Sequence, residues 1–267
     1  MQITVRNARY QQWQALLSNR SKRSRAGEFL VHGVRPMTLA ADHGWPIHAV
    51  LHNRERSLSQ WARDFIDAQP DAEHFAVAGD LIADLGEKSD GAPELIAVVG
   101  MPDDDLRAVT PAGLGVLFDR PTSPGNIGTI IRSADAFGAD YLIVTGHAAD
   151  PYDPKAVRAS AGSIFALPVV RVPGPPAVLD WLGDSATALV ATDEHGEVEL
   201  DQADLTGPTL LLVGNETGGL AAAWRAVATV SVRIPMTGAA SSLNAASATS
   251  VALYEAARQR RLSARRR

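Results

Sequence analysis

The chain has 267 residues, 46% apolar and 21% charged, ordinary globular values that exclude a disordered or fibrous chain. It contains no Cys, which removes disulfides, Cys-ligated zinc, iron–sulfur clusters and cysteine nucleophiles together. The net charge of −5 is unevenly spread: residues 1–60 hold nine Arg/Lys against three Asp/Glu, residues 61–110 three against twelve, and the last twelve residues six Arg and no acid. A basic patch can hold phosphates whatever the overall charge, because screening confines its field to roughly 8–10 Å. The polar start MQITVRNARYQQWQ lacks the apolar core of a secretory signal, and LIAVVG and LLLVG are too short to span a bilayer. These features predict an intracellular, cytoplasmic protein with no membrane partner.

Residues 8–18 have helical spacing with Trp13, Leu16 and Leu17 on one side. A basic turn (Arg20, Lys22, Arg23, Arg25) follows, then the strand EFLVHG; the charge alone leaves a solvated loop open as the alternative. A helix at 34–43, a strand at 47–53, a helix at 57–68, the strand HFAVAG, the helix DLIADLGEK and a strand at 94–100 complete a small layered α/β domain over 1–105. The stretch 101–113 reads as a boundary; Asp103, Asp104 and Asp105 suit a helix cap or solvated linker better than a metal site. A second domain, 106–267, opens with a buried strand at 115–119. It continues with a helix starting near Asn126, strands at 141–146, 167–172, 187–193, 208–215 and 230–236, and a closing helix from about Asn244 to Arg260. Near-continuous apolar strands alternating with helices predict a parallel sheet covered on both faces.

No dinucleotide fingerprint, P-loop, GxSxG or SxxK is present, and the seven His show no helical zinc pairing. Three segments stand out at predicted C-terminal strand ends, where α/β proteins place ligands. DRPTSPGNIGTIIRSADAFG (119–138) offers Asn126 as helix cap or ligand group and Arg132 as a charge set among apolar residues. LLLVGNETGGL (210–220) has Gly residues that permit close backbone approach, and Glu216, which would repel phosphate and suits a cationic or hydroxyl-bearing ligand. IPMTGAASSLNAASATS (234–250) begins a helix at Ser241, Ser242 and Asn244, a polar pocket or simply an N-cap.

Together N-I-G-x-x-x-R, G-N-E-x-x-G-L and I-P-M-x-G-…-S-L-N resemble the three signatures of the SpoU (TrmH-like) family, S-adenosylmethionine-dependent RNA ribose 2′-O-methyltransferases of the SPOUT class. The intervening DPKAVRASAGSIFALPV resembles the family's segment between the first two. RSKRSRAGEFLVHG is similar to the small ribosomal-protein-like substrate-binding domain of many members, which often have Glu at the position of His32. Where the family usually runs Val-Ser-Val after Ser-Leu-Asn, this chain has Ala245-Ala246-Ser247.

The resemblance implies a parallel-sheet SPOUT domain with a C-terminal deep trefoil knot, and a homodimer. It implies S-adenosylmethionine held by Thr145, Gly146, Val213, Gly214, Asn215, Gly218, Ile234, Pro235, Met236, Leu243 and Asn244, and functional polar positions at Arg132, Asn126, Glu216, Ser242 and Asn244. The sulfonium carries an activated methyl, so no metal is required. The resemblance implies Arg132 as the base for the ribose 2′-hydroxyl; because a guanidinium holds its proton, the alternative is that Arg132 stabilises the developing alkoxide while an RNA phosphate receives the proton. Arg20, Lys22, Arg23 and Arg25 become candidates for RNA phosphate contacts. The expected substrate is ribosomal RNA; tRNA, a non-catalytic RNA-binding role and a small-molecule enzyme are the alternatives. The terminal Arg265, Arg266 and Arg267 add non-specific affinity or remain unordered.

Overall fold

The computed structural model describes residues 1–87, 92–240 and 242–265, so Ser241, Arg266 and Arg267 of the sequence reading lie outside it. The chain divides into two compact units, Met1–Pro102 with Tyr152–Ala166, and Asp103–Pro151 with Leu167–Arg267.

The first unit contains β1 (Gln2–Ile3), α1 (Ala8–Ser18), α2 (Arg20–Ala26), β2 (Glu28–His32), α3 (Val34–Asp42), β3 (Ile47–Asn53), α4 (Gln60–Asp67), β4 (Glu73–Val77), α5 (Gly79–Leu85) and β5 (Leu95–Gly100). Its five-stranded sheet runs β1-β4-β3-β5-β2; β4 is parallel to β1 and β3, and β5 is antiparallel to β3 and β2. The basic stretch expected as a turn is the helix α2. Asn19 caps it by accepting from Lys22 N at 3.0 Å, and Gly27 closes it at φ +66°, a conformation that favours glycine. Similarly α4 begins later than its apolar pattern, because the Ser59 hydroxyl caps Ala62 N at 3.1 Å.

Alternation along β2 separates two faces. Leu30 joins Trp13, Leu51, Phe75 and Ile96 in one core, where Trp13 and Phe75 meet edge-on at 4.9 Å. Phe29 faces the other way, onto Trp45, Tyr152 and Phe165, with its ring 5.0 Å from that of Tyr152. Each buried ring removes enough apolar surface to contribute about 1.5–3 kcal/mol. The segment 152–166, distant in sequence, is thereby anchored in this unit.

The remaining elements are β6 (Leu114–Asp119), α6 (Pro124–Ala136), β7 (Tyr141–Thr145), α7 (Pro154–Ser160), β8 (Val169–Val172), α8 (Pro175–Leu182), β9 (Ala188–Thr192), β10 (Val198–Glu199), β11 (Thr209–Val213), α9 (Ala222–Val227), β12 (Val230–Arg233) and α10 (Ala245–Ala264). Helix α7 belongs to the first unit. The second unit's seven strands, ordered β10-β12-β9-β11-β6-β7-β8, are parallel throughout. Strands β6, β7 and β11 are buried at every residue, as their unbroken apolar sequence requires. The two-residue strands β1 and β10 carry no periodic signal and were not expected.

Helix α6 starts at Pro124 rather than near Asn126: Ser123 is the cap, and the Asn126 side chain is released for other partners. Asp105 caps a single 3-10 turn at Leu106–Ala108, and Asp104 accepts from the Arg171 amide at 2.9 Å. Helix α10 is tied to the sheet base by Arg260, whose guanidinium donates to the carbonyls of Leu205, Gly113 and Gly207. No helix among the described residues is long and apolar enough to cross a membrane.

Candidate active site

In the second unit the chain passes from β6 to β7 and β8, then places β11 on the other side of β6. The reversal of direction lies between β6 and β11, and open parallel sheets place ligands outside the carboxyl ends of such strands. The loops after β6, β7 and β11 meet at that edge.

Asp119, the last residue of β6, is buried and joins all three loops. It accepts from Thr145 Oγ1, Ala221 N and Arg120 Nε, each at 3.0 Å. The next residue, Arg120, sits at φ +50°, a region costly for a residue with a side chain. Its carbonyl accepts from Asn215 Nδ2 and its Nη2 donates to the Gly219 carbonyl at 3.2 Å. Its side chain also covers Gly146, where a Cβ would lie 2.7 Å from Arg120 Cγ. Sequence reasoning missed Asp119 and Arg120; a lone acid ending an apolar strand was the available signal.

The loop after β11 is a closed turn. Asn215 and Gly219 exchange two backbone hydrogen bonds of 3.0 Å, and Asn215 Oδ1 accepts from Thr217 N at 2.8 Å and Gly218 N at 3.0 Å. A Cβ on Gly214 would collide with the backbone of Gly219 and Leu220. That glycine is therefore required by the turn's own closure, whereas Gly218 has no protein atom closer than 3.9 Å to its Cβ position.

Glu216 reaches from this turn to the start of α6. Its carboxylate accepts from Thr122 N (3.0 Å), Thr122 Oγ1 (2.9 Å), Ser123 N (3.2 Å) and Asn126 Nδ2 (2.9 Å). Burial favours the neutral acid, but these hydrogen bonds outweigh it and hold the carboxyl below the usual Glu range. With the roughly four lone-pair sites of a carboxylate engaged, Glu216 ties this turn to the start of α6. Asn126 Oδ1 then accepts from Asn244 Nδ2 at 3.2 Å, and Asn244 Oδ1 accepts from Ala246 N (2.9 Å) and Ser247 N (3.4 Å), capping α10. One hydrogen-bonded chain thus crosses all three sequence motifs.

Arg132 and Ser242 are exposed and stand outside this chain, with no hydrogen bond to the described residues. Arg132 lies on the exposed side of α6, whose neighbouring turn is joined to α10 by Ser133 and Ser250 hydroxyls 2.7 Å apart. Val213 is buried in β11, and the Thr145 hydroxyl is committed to Asp119. Between β12 and α10, Ile234 is half-buried, Pro235 is exposed, and Met236 and Leu243 are 39% and 40% exposed. Backbone groups from Met236 to Ala240 have no hydrogen-bond partner among the described residues. Apolar side chains beside open amides and carbonyls fit a ligand with an aromatic ring and a polar edge, as S-adenosylmethionine has.

In the first unit Arg20, Lys22 and Arg25 are exposed on α2, as phosphate contacts require. Arg23 is not: it is 2% exposed, donates to the carbonyls of Leu16 (2.6 Å) and Leu17 (3.3 Å), and lies 3.6 Å from Asp153. The helical period turns this one cation inward while its neighbours face water.

Residues 7–97 match the model of the SpoU L30e-like domain and residues 113–254 that of the SpoU rRNA Methylase family. A 23S rRNA (uridine(2479)-2'-O)-methyltransferase of Streptomyces viridochromogenes is 59% identical over 97% of this chain and 92% of its own. The crystal structure of the SpoU methyltransferase AviRb from Streptomyces viridochromogenes with AdoMet superposes at TM-score 0.91, covering 96% of this chain and 98% of that one at 59% identity. An AdoMet-bound rRNA methyltransferase from Sinorhizobium meliloti superposes at 0.88 with 30% identity, covering 97% of both chains.

Proposed function

Because the chain belongs to the SpoU rRNA methylase family, we propose that it methylates a uridine ribose of 23S ribosomal RNA. The reaction class is S-adenosylmethionine-dependent methyl transfer to an RNA ribose 2′-hydroxyl. The observation that carries the reading is the Glu216–Asn126–Asn244 chain, which links the family's three motifs. The uridine and the 23S RNA come from the Streptomyces viridochromogenes relative.

S-adenosylmethionine, when bound, supplies an activated methyl group on a sulfonium. Thr145, Gly146, Val213–Asn215, Gly218, Ile234–Met236, Leu243 and Asn244 would hold it, largely through backbone groups. Asn126, Glu216 and Asn244 are positioning residues that keep these loops in register. Arg132 is exposed and engaged with no described residue, so its guanidinium is available to the ribose oxygen as negative charge develops, with the adjoining RNA phosphate receiving the hydroxyl proton. Ser242 is proposed to contact the same nucleotide. Arg20, Lys22 and Arg25 would bind phosphates, placing the RNA without reading it.

Two further features belong to this reading. Helix α10 follows β12, a strand beyond β9, yet packs against α6, as the last helix of a trefoil-knotted domain would. Val251, Tyr254 and Leu262 form an exposed apolar stripe on α10, which suits a homodimer interface. A substrate of ribosomal RNA places the protein's action in the cytoplasm.

The test is incubation with methyl-labelled S-adenosylmethionine and, separately, unmodified large-subunit rRNA, small-subunit rRNA and tRNA. Label is expected in the large-subunit pool and absent with Arg132→Ala, which should still bind the cofactor within about twofold. Loss of an oxyanion-stabilising donor lowers turnover by about 10²–10³-fold. Label in tRNA alone would overturn the substrate; full activity of Arg132→Ala would overturn the residue's role.

A further inference from the structure

The first unit carries a cavity of about 120 Å³ away from the motifs just described. Its volume is well below the roughly 300–1,000 Å³ of drug-sized sites and suits one planar ring. Leu17, Leu30, Val157, Pro36 and Pro154 give it an apolar lining. Its polar lining is His32, Glu87 and Arg158. Glu87 and Arg158 are ion-paired with each other, and both side chains remain about one-third exposed, at 33% and 38%. A carboxylate acceptor and a guanidinium donor in one lining match the mixed donor–acceptor edge of a nucleobase.

The buried Arg23 ties together two segments that line this cavity. It binds the carbonyls of Leu16 and Leu17 and pairs with Asp153, the residue preceding Pro154. One cation thus fastens α1, which supplies Leu17, to the 152–166 segment, which supplies Pro154 and Val157. The same short helix exposes Lys22 and Arg25, whose positive field reaches roughly 8–10 Å. An apolar slot for a ring next to cations for phosphates is the pairing that single-stranded nucleic-acid sites combine.

We propose that this cavity receives one unstacked nucleotide of the substrate RNA, distinct from the one methylated, with its base against Pro36 and Pro154 and its edge at Glu87 and Arg158. The proposal rests on the RNA-methyltransferase reading above. The occupied cavity breaks the Glu87–Arg158 pair and uses both groups on the base.

The experiment uses the full chain and 23S rRNA transcribed with 4-thiouridine, irradiated to form zero-length crosslinks and mapped by mass spectrometry. Crosslinks are expected at His32, Pro36 or the 154–158 peptide. In parallel, Arg158→Ala and the cavity-filling Val157→Phe are compared with the parent, with melting temperature checking that each folds. Each is expected to weaken RNA binding about tenfold, the value of one lost base contact, with S-adenosylmethionine affinity unchanged within about twofold. Unchanged RNA affinity for Arg158→Ala, with crosslinks confined to other peptides, overturns the proposal. If the parent protein labels no RNA pool, the methyltransferase reading itself fails and the cavity proposal falls with it.

Discussion

Asn126 Nδ2 lies 2.9 Å from Glu216 Oε1, joining residues ninety positions apart, and its own carbonyl oxygen accepts from Asn244. The amide of Asn126 therefore has one face on each neighbouring motif. Its orientation is fixed by that pairing, since Glu216 only accepts and Asn244 Nδ2 only donates.

Glu216→Ala removes the acceptor for four donors and leaves the amides of Thr122 and Ser123 and the amide side chain of Asn126 unpaired. Leaving such groups without partners costs about 1–3 kcal/mol each where water cannot replace them. The expected outcome is weaker S-adenosylmethionine binding by at least about tenfold in calorimetry, with a smaller loss of melting temperature because the loops are partly wet. Glu216→Gln retains the shape and part of the acceptance, and should fall between the two.

The same carboxylate sets an acid limit. Its folded-state pKa is lowered, so its stabilising hydrogen bonds are fully present above the unfolded Glu range and are lost as pH falls through the lowered value. Cofactor affinity should be flat through neutral pH and drop only in strong acid. In Glu216→Gln the drop should disappear. A parent profile that already falls in the range where His titrates would refute the assignment to Glu216.

Arg120 combines a strained backbone with three useful contacts. Arg120→Gly should relieve about 1 kcal/mol of left-handed strain but removes the guanidinium paired with the buried Asp119 carboxylate, so the melting temperature should fall, while the lost clamp on Gly219 weakens cofactor binding. Arg120→Ala keeps the strain and loses the clamp, and should be the less stable of the two. Scanning calorimetry with a cofactor titration separates these outcomes.

On α2 the cations should divide by burial. Arg23→Ala leaves the carbonyls of Leu16 and Leu17 without their donor and should destabilise the first unit by about 1–3 kcal/mol. Lys22→Ala and Arg25→Ala should leave the melting temperature unchanged. Each should lower RNA affinity and reduce the slope of log affinity against log salt by about one.

Much of the molecule follows from local pattern. The apolar runs at 115–119, 141–146 and 208–215 read as strands buried on both faces and are β6, β7 and β11, and the three motif strings identified the family. Element ends were less legible where a polar cap overrides the apolar period, as Ser123 and Ser59 do, and where two residues add to a sheet edge without a pattern, as in β1 and β10.

The sequence by itself determined the kinds of groups present at the site: Asn126, Arg132, Glu216 and Asn244 were all named by motif. Only the tertiary structure decided their partners and exposure. Glu216 is saturated by the α6 start and Arg132 is left exposed, because hydrogen-bond partners are set by which loops the parallel sheet brings to one edge. It likewise decided that Arg23 turns inward onto the carbonyls of Leu16 and Leu17 while Lys22 and Arg25 face water, since a charge run specifies valence but a short helix apportions its members between inside and outside. Asp119 and Arg120 carried no motif and acquired their roles only when three distant loops converged on the end of β6.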